Sequence, residues 1–151
     1  MTVFIDADGC PVVDIVVSLV RQYQVECVIL CDTSHVFNKE GARTVTVSKG
    51  ADSVDFALVN MLRPGDLVVT QDYGLAAMCL ARRALPISQD GMVYHDGNIE
   101  SLLQARHAAK KIRSAGGRLK GSRKRTPDQN VRFSAEFEKL IQRSGKTKEV
   151  E

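Results

Sequence analysis

Short apolar runs alternate with amphipathic stretches along the first ninety residues of the chain. Runs rich in Val, Ile and Leu and bounded by Gly, Pro or Asp are typical of buried strands, whereas apolar residues three or four positions apart predict helices. The order β-α-β-β-α-β-α-β predicts a three-layer α/β fold, in which a mostly parallel central sheet has helices on both faces. The predicted strands are 2–5, 25–30, 44–47, 67–70 and 85–87, and the predicted helices are 11–23, 52–62 and 75–83.

A helical C-terminal tail is predicted after the alternating region. Asn98 is a suitable N-cap for a helix that runs to about Ser114. Glycine and basic residues dominate the following segment and offer little to bury, which is typical of a linker. Thr126-Pro127-Asp128-Gln129 combines an N-cap, a first-turn proline and an N3 glutamine, so it predicts the start of a last helix. The predicted organisation is a domain over 1–114, a linker over 115–125, a helix packed on the same domain over 126–144, and a frayed end over 145–151.

Carboxylates follow two of the predicted strands. Asp6 and Asp8 come directly after the first strand, and Asp72 follows the strand at 67–70. Ligands of open α/β sheets bind beyond the carboxyl ends of the strands, so these acids are in a suitable position for chemistry. Each aspartate alone could be a cap or turn residue, but their joint placement at strand ends favours a binding site.

Composition indicates one ordinary core in a reducing compartment. The chain has 151 residues, 44% of them hydrophobic. Its four cysteines show no CxxC spacing, and no signal peptide or long apolar span is evident, so we expect a cytoplasmic protein without a membrane segment. Cys10, at a predicted helix start, could be a reactive thiol or a packed one. His35, His95 and His107 show no spacing typical of a metal or nucleophile site and receive no role.

Charge is divided unevenly between the two parts of the chain. Residues 1–100 hold seven basic and thirteen acidic residues, whereas residues 101–151 hold fourteen basic and five acidic ones. Nine bases and no acid lie between Arg106 and Arg125. Such a run is either a solvated surface or a contact for a polyanion, and we expect nucleic acid, RNA before DNA, as the partner. The predicted contacts are Arg106, Lys110, Lys111, Arg113, Lys120, Arg123, Lys124 and Arg125.

Several motifs carry a resemblance to a known family. The segments DADGCPV at the start, SVD around Asp55 and GDLVVTQDYGLAA at 65–77, with Arg106, Arg113 and Phe133, resemble the YaiI/YqxD family of uncharacterised bacterial proteins. The likeness covers nearly the whole chain. That family is assigned by similarity to the PIN-like nucleases, which are metal-dependent phosphodiesterases that usually act on RNA.

The resemblance implies a PIN-like fold, Mg²⁺ or Mn²⁺ as cofactor, and catalysis by Asp6, Asp55 and Asp72. Asp8 is a further candidate metal ligand, and Thr70, Gln71 and Asp52 are candidates for contact with a metal-bound water or a phosphate. The physical argument agrees, because several carboxylates in one cleft repel one another and a hard divalent cation offsets that repulsion. Such ions can also activate water and stabilise the leaving oxygen of a phosphodiester.

Two other functions stay open at the level of sequence. The first is a non-catalytic PIN-like module that binds RNA or a protein. The second is a phosphatase of the haloacid-dehalogenase type, since Asp6-x-Asp8-Gly9 resembles the opening motif in which the first Asp is the nucleophile and the second the acid/base. Cys10 stands where those enzymes carry Thr or Val, and Asp66 and Asp72 bracket a strand instead of following one.

Overall fold

A central sheet of five parallel strands organises the computed structural model, which describes residues 1–50, 52–117 and 124–149, with side chains as far as Ser144. This confirms the predicted three-layer α/β fold with a C-terminal helix. The strands are β1 (Thr2–Asp6), β2 (Glu26–Asp32), β3 (Arg43–Val47), β4 (Leu67–Val69) and β5 (Leu85–Ile87), and the helices are α1 (Val13–Gln22), α2 (Ser53–Met61), α3 (Tyr73–Ala81), α4 (Asp96–Ser114) and α5 (Pro127–Glu149).

The strand order is β3-β2-β1-β4-β5, so β1 lies at the centre of the sheet. Val3 is in register with Cys27 of β2 on one side and with Leu67 of β4 on the other. The chain first builds the sheet outward through β2 and β3 and then continues on the opposite side of β1. The order therefore reverses between β1 and β4, and ligands of open α/β sheets bind at such a switch point.

Alternate residues of β1 supply the two faces of the sheet. Val3 and Ile5 belong to a buried cluster with α1 and α5, whereas Phe4 belongs to a cluster with α2 and α3. Helices cover both faces of the sheet. The strands are therefore mostly continuous apolar runs, and apolar and polar positions do not alternate along them. Helix α4 packs beside α3, where Ile99 joins Ala76 and Tyr94 in a third cluster.

Helix α5 returns to the sheet face that α1 covers. Phe133 and Phe137 are fully buried there, with their rings stacked at a centroid distance of 5.4 Å. The Tyr23 hydroxyl, at the end of α1, donates a 2.6 Å hydrogen bond to Glu138 and accepts one of 2.9 Å from Gln142. None of the described helices is both long and apolar enough to cross a bilayer.

The first three helices lie within two residues of their predicted bounds, whereas one end of each of the last two differs in kind. The N-cap of α4 is His95 and not Asn98, because the His95 ring accepts the Gly97 N–H while the Asn98 side chain reaches back to the His95 N–H. Asn98 thus occupies the N3 position of a capping box. Helix α5 begins at Pro127 as predicted but extends to Glu149, since Gly145 inside a helix costs only about 1 kcal/mol and does not end it.

Candidate active site

Thr70 connects the two strand ends that flank the switch point. Its hydroxyl donates a 2.8 Å hydrogen bond to Asp6 Oδ2, and the same oxygen accepts the backbone N–H of Asp72 at 3.0 Å. Asp72 in turn caps α3, where its Oδ1 accepts the Leu75 N–H at 3.1 Å. One buried hydroxyl therefore binds both the carboxylate of Asp6 at the end of β1 and the backbone of Asp72 after β4.

Asp55 reaches the same region from α2. Burial first, and then the charges of Asp72, Asp6 and Asp52, together raise the pKa of Asp55 from 3.8 to about 6. Burial also raises the pKa of Asp6 against the opposing hydrogen bond from Thr70, with contributions from Asp72 and Asp8. The charge of Asp72 thus acts on both Asp6 and Asp55, and that of Asp6 acts on Asp55, so these groups lie in one electrostatic environment.

Arg106 of α4 partly offsets this negative charge. Its Nη1 lies 3.4 Å from Asp72 Oδ1, and its charge lowers the pKa of Asp55. The arginine side chain is 60% exposed, so the pair is a weak surface contact rather than a buried ion bridge.

A second group of side chains that could bind a metal lies at the ends of β1 and β2 and in the loops that follow them. Ligand atoms of Asp8, Asp32 and His35 lie within 4.8 Å of one another. His35 Nδ1 is 2.7 Å from Asp8 Oδ1, and the backbone N–H of Asp32 donates to Asp8 Oδ2 at 3.1 Å. The imidazole contact lacks hydrogen-bond geometry, so the buried Asp8 Oδ1 has no hydrogen-bond partner among the described residues.

The spacing of these two sets of side chains differs. Among the described residues, the potential ligand atoms of Asp8, Asp32 and His35 all lie within 4.8 Å of one another. Those of Asp6, Asp55 and Asp72 do not. Asp8 links the two sets, since its charge also raises the pKa of Asp6. The metal-ligand roles of Asp6, Asp8, Asp55 and Asp72 stay predictions.

A cavity of about 240 Å³ lies between the loops after β1 and β4. Asp6, Asp8 and Thr70 line it together with Cys10 and Gln71. Burial is the main cause that raises the pKa of the Cys10 thiol, which opposes activation as a thiolate. Of the two readings of this residue, the structure therefore favours the packed thiol.

Comparison with known proteins identifies the family of the chain. The family model described as "Uncharacterized BCR, YaiI/YqxD family" matches residues 4–143. The chain belongs to the YaiI/YqxD family. This confirms the resemblance carried by the early and middle motifs. The further assignment of the family to the PIN-like nucleases stays a prediction.

Bacterial relatives match over almost their whole length. A "UPF0178 protein" of Exiguobacterium sibiricum is 52% identical over 141 residues, covering 93% of this chain and 96% of the relative. A second, from Clostridium acetobutylicum, is 46% identical over 145 residues, covering 95% and 98%. A third, from Ruminiclostridium cellulolyticum, is 45% identical over 133 residues, covering 88% and 87%. No solved structure matches the chain.

By ligand type, though not by spacing, the acidic residues of this YaiI/YqxD-family protein suit a hard divalent cation. Asp6, Asp55 and Asp72 offer carboxylate oxygens, the ligand type that Mg²⁺ and Mn²⁺ prefer. The raised pKa values of Asp6 and Asp55 show that negative charge is disfavoured there without a counter-ion. Asp8 Oδ1 accepts no hydrogen bond from the described residues but lies 2.7 Å from His35 Nδ1, and it is a further oxygen that a cation could bind.

Gln71 lines the cavity after β1 and β4, and no hydrogen bond links Gln71 or Asp52 to Asp6, Asp55 or Asp72 among the described residues. Gln71 Oε1 accepts the Gln89 N–H at 2.9 Å, which ties the loop after β4 to the turn after β5. Asp52 precedes α2 in a left-handed conformation with φ of 64° and makes no capping hydrogen bond with its side chain. Its charge nevertheless raises the pKa of Asp55. Their contact with a phosphate or bound water stays a prediction.

The basic residues predicted to contact nucleic acid differ in their exposure and bonding. Arg106, Lys110, Lys111 and Arg113 are exposed along the later turns of α4. Arg125 is only 21% exposed and donates hydrogen bonds to Asp90, Asn130 and the carbonyl of Gln89, so protein acceptors already occupy its guanidinium. Its predicted contact with nucleic acid would compete with these bonds. Lys124 is exposed, and Lys120 and Arg123 lie outside the described residues.

Sequence reasoning missed the parts that two histidines play. His95 caps α4, and His35 lies beside Asp8 and Asp32. The available signal for His35 was its spacing of three residues from an acid at a strand end, Asp32. Tyr94 was also missed: its buried hydroxyl donates to the Thr70 carbonyl at 3.2 Å and supports the residue that holds Asp6.

Proposed function

We propose that the protein is a metal-dependent nuclease that hydrolyses phosphodiester bonds in RNA. The observation that supports this most directly is that the charge of Asp72 acts on Asp6 and Asp55, and that of Asp6 acts on Asp55, although the three residues come from the N-cap of α3, the end of β1 and helix α2. A fold that keeps repelling carboxyl groups together at a ligand-binding edge loses stability unless a cation joins them. Metal-dependent catalysis would explain why the fold keeps an arrangement that lowers its stability.

Asp6, Asp55 and Asp72 are the residues that would hold Mg²⁺ or Mn²⁺, with Asp8 as an additional oxygen donor. When bound, such an ion lowers the pKa of water and stabilises charge on the phosphate oxygens. The chain already orients two of the ligands. Asp6 Oδ2 is engaged by Thr70 and Asp72 Oδ1 by Leu75, whereas no described residue donates a hydrogen bond to Asp6 Oδ1 or Asp72 Oδ2.

Helix α4 supplies the surface that would hold the RNA backbone. Arg106 contacts Asp72, and Lys110 and Arg113 follow it at four and seven positions, which places all three on one helix face. This basic stripe, Arg106, Lys110 and Arg113, leads away from the acidic cleft. Phosphates bound along it would bring a neighbouring phosphodiester toward the carboxylates, and binding would weaken with salt.

The experiment is cleavage of a labelled single-stranded RNA by purified protein in Mn²⁺, Mg²⁺ or chelator. The Asp6→Asn/Asp72→Asn double variant tests the site, and Glu26→Gln is the matched control because Glu26 lies at the opposite end of the sheet, at the start of β2. We expect metal-dependent cutting by the wild type and by Glu26→Gln, and none by the double variant. DNA of the same sequence serves as the competing substrate.

Three results would contradict the proposal. Equal cutting by the wild type and the double variant would identify a contaminating nuclease. Salt-sensitive RNA binding without cleavage would favour a non-catalytic binding module. Hydrolysis of a small phosphomonoester in place of RNA, lost in Asp6→Asn, would favour a phosphatase that uses Asp6 and Asp8.

A further inference from the structure

A second cavity, of about 290 Å³, opens beside the acidic cleft. Gln71 lines both cavities, so they are neighbours on the carboxyl side of the sheet. The remaining walls include Tyr73, Met92, Tyr94 and Arg132. The volume is at the lower end of the range for ligand pockets, about 300 Å³ and above, which suits one planar ring system better than a large ligand.

Aromatic side chains form one wall of this cavity. The rings of Tyr73 and Tyr94 pack edge to face with their centroids 6.0 Å apart. Tyr94 is almost completely buried and fixed by the hydrogen bond from its hydroxyl to the Thr70 carbonyl, whereas Tyr73 is partly exposed. Met92, which is 39% exposed, adds an apolar surface. Proteins that bind single-stranded RNA use walls of this kind to hold unstacked bases.

The polar groups of the cavity that lack protein partners are mainly donors. Within the described chain, no side chain pairs with the Arg132 guanidinium. The Gln71 amide oxygen is occupied by the Gln89 N–H, which directs its NH₂ group toward other acceptors. Oδ1 of Asp90 is already bound by both Arg125 and Gln129. The cavity is thus suited to a ligand that presents hydrogen-bond acceptors.

The frame of the cavity is formed before any ligand binds. Ser88 Oγ accepts the backbone N–H groups of Asp90 and Met92, at 3.2 and 3.1 Å, which fixes the turn after β5. Gly91 in that turn has φ of 88°, and a Cβ there would lie 3.1 Å from the Arg132 carbonyl oxygen. The turn and α5 therefore approach backbone to backbone, and little reorganisation is needed for binding.

We propose that this cavity binds the base of the nucleotide beside the cleaved phosphate, with guanine preferred. The role of the cavity in cleavage rests on the proposed nuclease function, because it depends on the neighbouring carboxylates. Binding of a base does not itself require catalysis. Arg recognises guanine through paired hydrogen bonds to O6 and N7, and Tyr73 and Met92 offer the apolar surface for the ring. The site would select where along an RNA the phosphodiester is cut.

The test is titration of the protein with GMP, AMP, CMP and UMP at millimolar concentration in chelator, followed by NMR and calorimetry. Inorganic phosphate is titrated alongside. We expect saturable GMP binding that is stronger than CMP binding by roughly 5- to 150-fold. Arg132→Ala should lower GMP affinity by a similar factor. Arg82→Ala is the matched control, because Arg82 is an exposed arginine at the far end of α3, and it should bind GMP like the wild type.

Several outcomes would overturn the inference. These are an absence of GMP binding, equal affinity for the four nucleotides, unchanged affinity in Arg132→Ala, or competition by inorganic phosphate that accounts for all of the binding. Unchanged thermal stability of Arg132→Ala ensures that a loss reflects the site and not the fold. GMP binding without RNA cleavage would refute the nuclease proposal but keep this site, and cleavage without GMP binding would do the reverse.

Discussion

The Thr70 hydroxyl donates its hydrogen to Asp6 at 2.8 Å and is thereby the direct link between the strand end at β4 and the carboxylate that ends β1. Thr70 is 2% exposed, and its hydroxyl also accepts the Asp72 N–H. The buried hydroxyl is therefore used both as a donor and as an acceptor. Tyr94 holds the carbonyl of the same residue. The positions of the two acids therefore depend on one side chain.

Thr70→Val should weaken metal binding while keeping the shape of the residue. The substitution removes the donor to Asp6 and leaves the Asp72 N–H without an acceptor, which costs about 1 to 3 kcal/mol of stability. Loss of a residue that orients a ligand lowers metal affinity by roughly 10- to 100-fold. Mn²⁺ titration followed by electron paramagnetic resonance measures this. Thr70→Ser, which retains the hydroxyl, should bind like the wild type, and equal affinity in Thr70→Val would refute the orienting role.

Asp55→Asn should stabilise the metal-free protein at neutral pH. Burial and the neighbouring acids raise the pKa of Asp55 to about 6 from 3.8, so this group favours folding below pH 3.8 and that contribution is lost as the pH rises through about 6. The variant never carries the charge. Its melting temperature in chelator should exceed that of the wild type above pH 6, and the difference should vanish toward pH 3.8.

Thermal melts across this pH range, with Glu26→Gln as control, check the prediction for Asp55. Added Mn²⁺ should stabilise the wild type and do little for Asp55→Asn, because the variant lacks one ligand. A variant that melts below the wild type at neutral pH in chelator would mean that Asp55 is held by favourable contacts, and the argument from charge repulsion would be wrong.

The layers of the fold could be predicted because burial leaves a direct mark on sequence. A strand such as β4 is apolar at every position since both faces of the sheet are covered, and Pro64-Gly65 marks its start. The order of strands has no such mark, because pairing of β1 with β4 is decided by packing between segments sixty residues apart. The start of α4 was misplaced for a local reason: an imidazole serves as the cap at His95, where Asn98 has the more usual cap side chain.

In the candidate site, too, the sequence predicts the positions of some residues and not of others. The placement of Asp6 and Asp72 at one edge could be predicted, since each lies at or just after the end of an apolar strand and strand ends of parallel sheets meet there. Asp32 and His35 could not, because their approach to Asp8 depends on the path of the loop after β2, and loop conformation follows from tertiary contacts rather than from periodicity. Charge alone could not separate Arg106, which is exposed, from Arg125, which is bonded to the protein.

Arg106→Ala should weaken RNA binding and flatten its dependence on salt. If Arg106 neutralises one phosphate, its loss lowers the slope of log affinity against log salt by about 0.7 for a single strand. Fluorescence anisotropy with labelled RNA measures the slope, in an Asp6→Asn background so that the RNA stays intact. Arg82→Ala removes the same charge elsewhere and should change the slope far less. Equal slopes for the two variants would remove Arg106 from the RNA contacts.

Arg125→Ala should destabilise the fold rather than act mainly on RNA. Its guanidinium donates to Asp90 at 2.8 Å, to Asn130 at 2.8 Å and to the Gln89 carbonyl at 2.7 Å, so it joins the turn after β5 to the first turn of α5. Hydrogen bonds with a charged partner contribute about 1.5 to 3 kcal/mol, and partial exposure of Asp90 lowers the share from that pair.

Urea unfolding measures the effect of Arg125→Ala as a lower midpoint with an unchanged slope. Lys124→Ala is the matched control, since Lys124 is the exposed neighbour in sequence and its loss should leave the midpoint in place. Arg125→Lys should recover part of the stability, because an ammonium group keeps the charge near Asp90 but cannot span three acceptors arranged around a planar fork. If Arg125→Ala instead unfolds like the wild type and loses RNA affinity, the guanidinium leaves Asp90 for phosphate, and the role predicted from the basic run is the correct one.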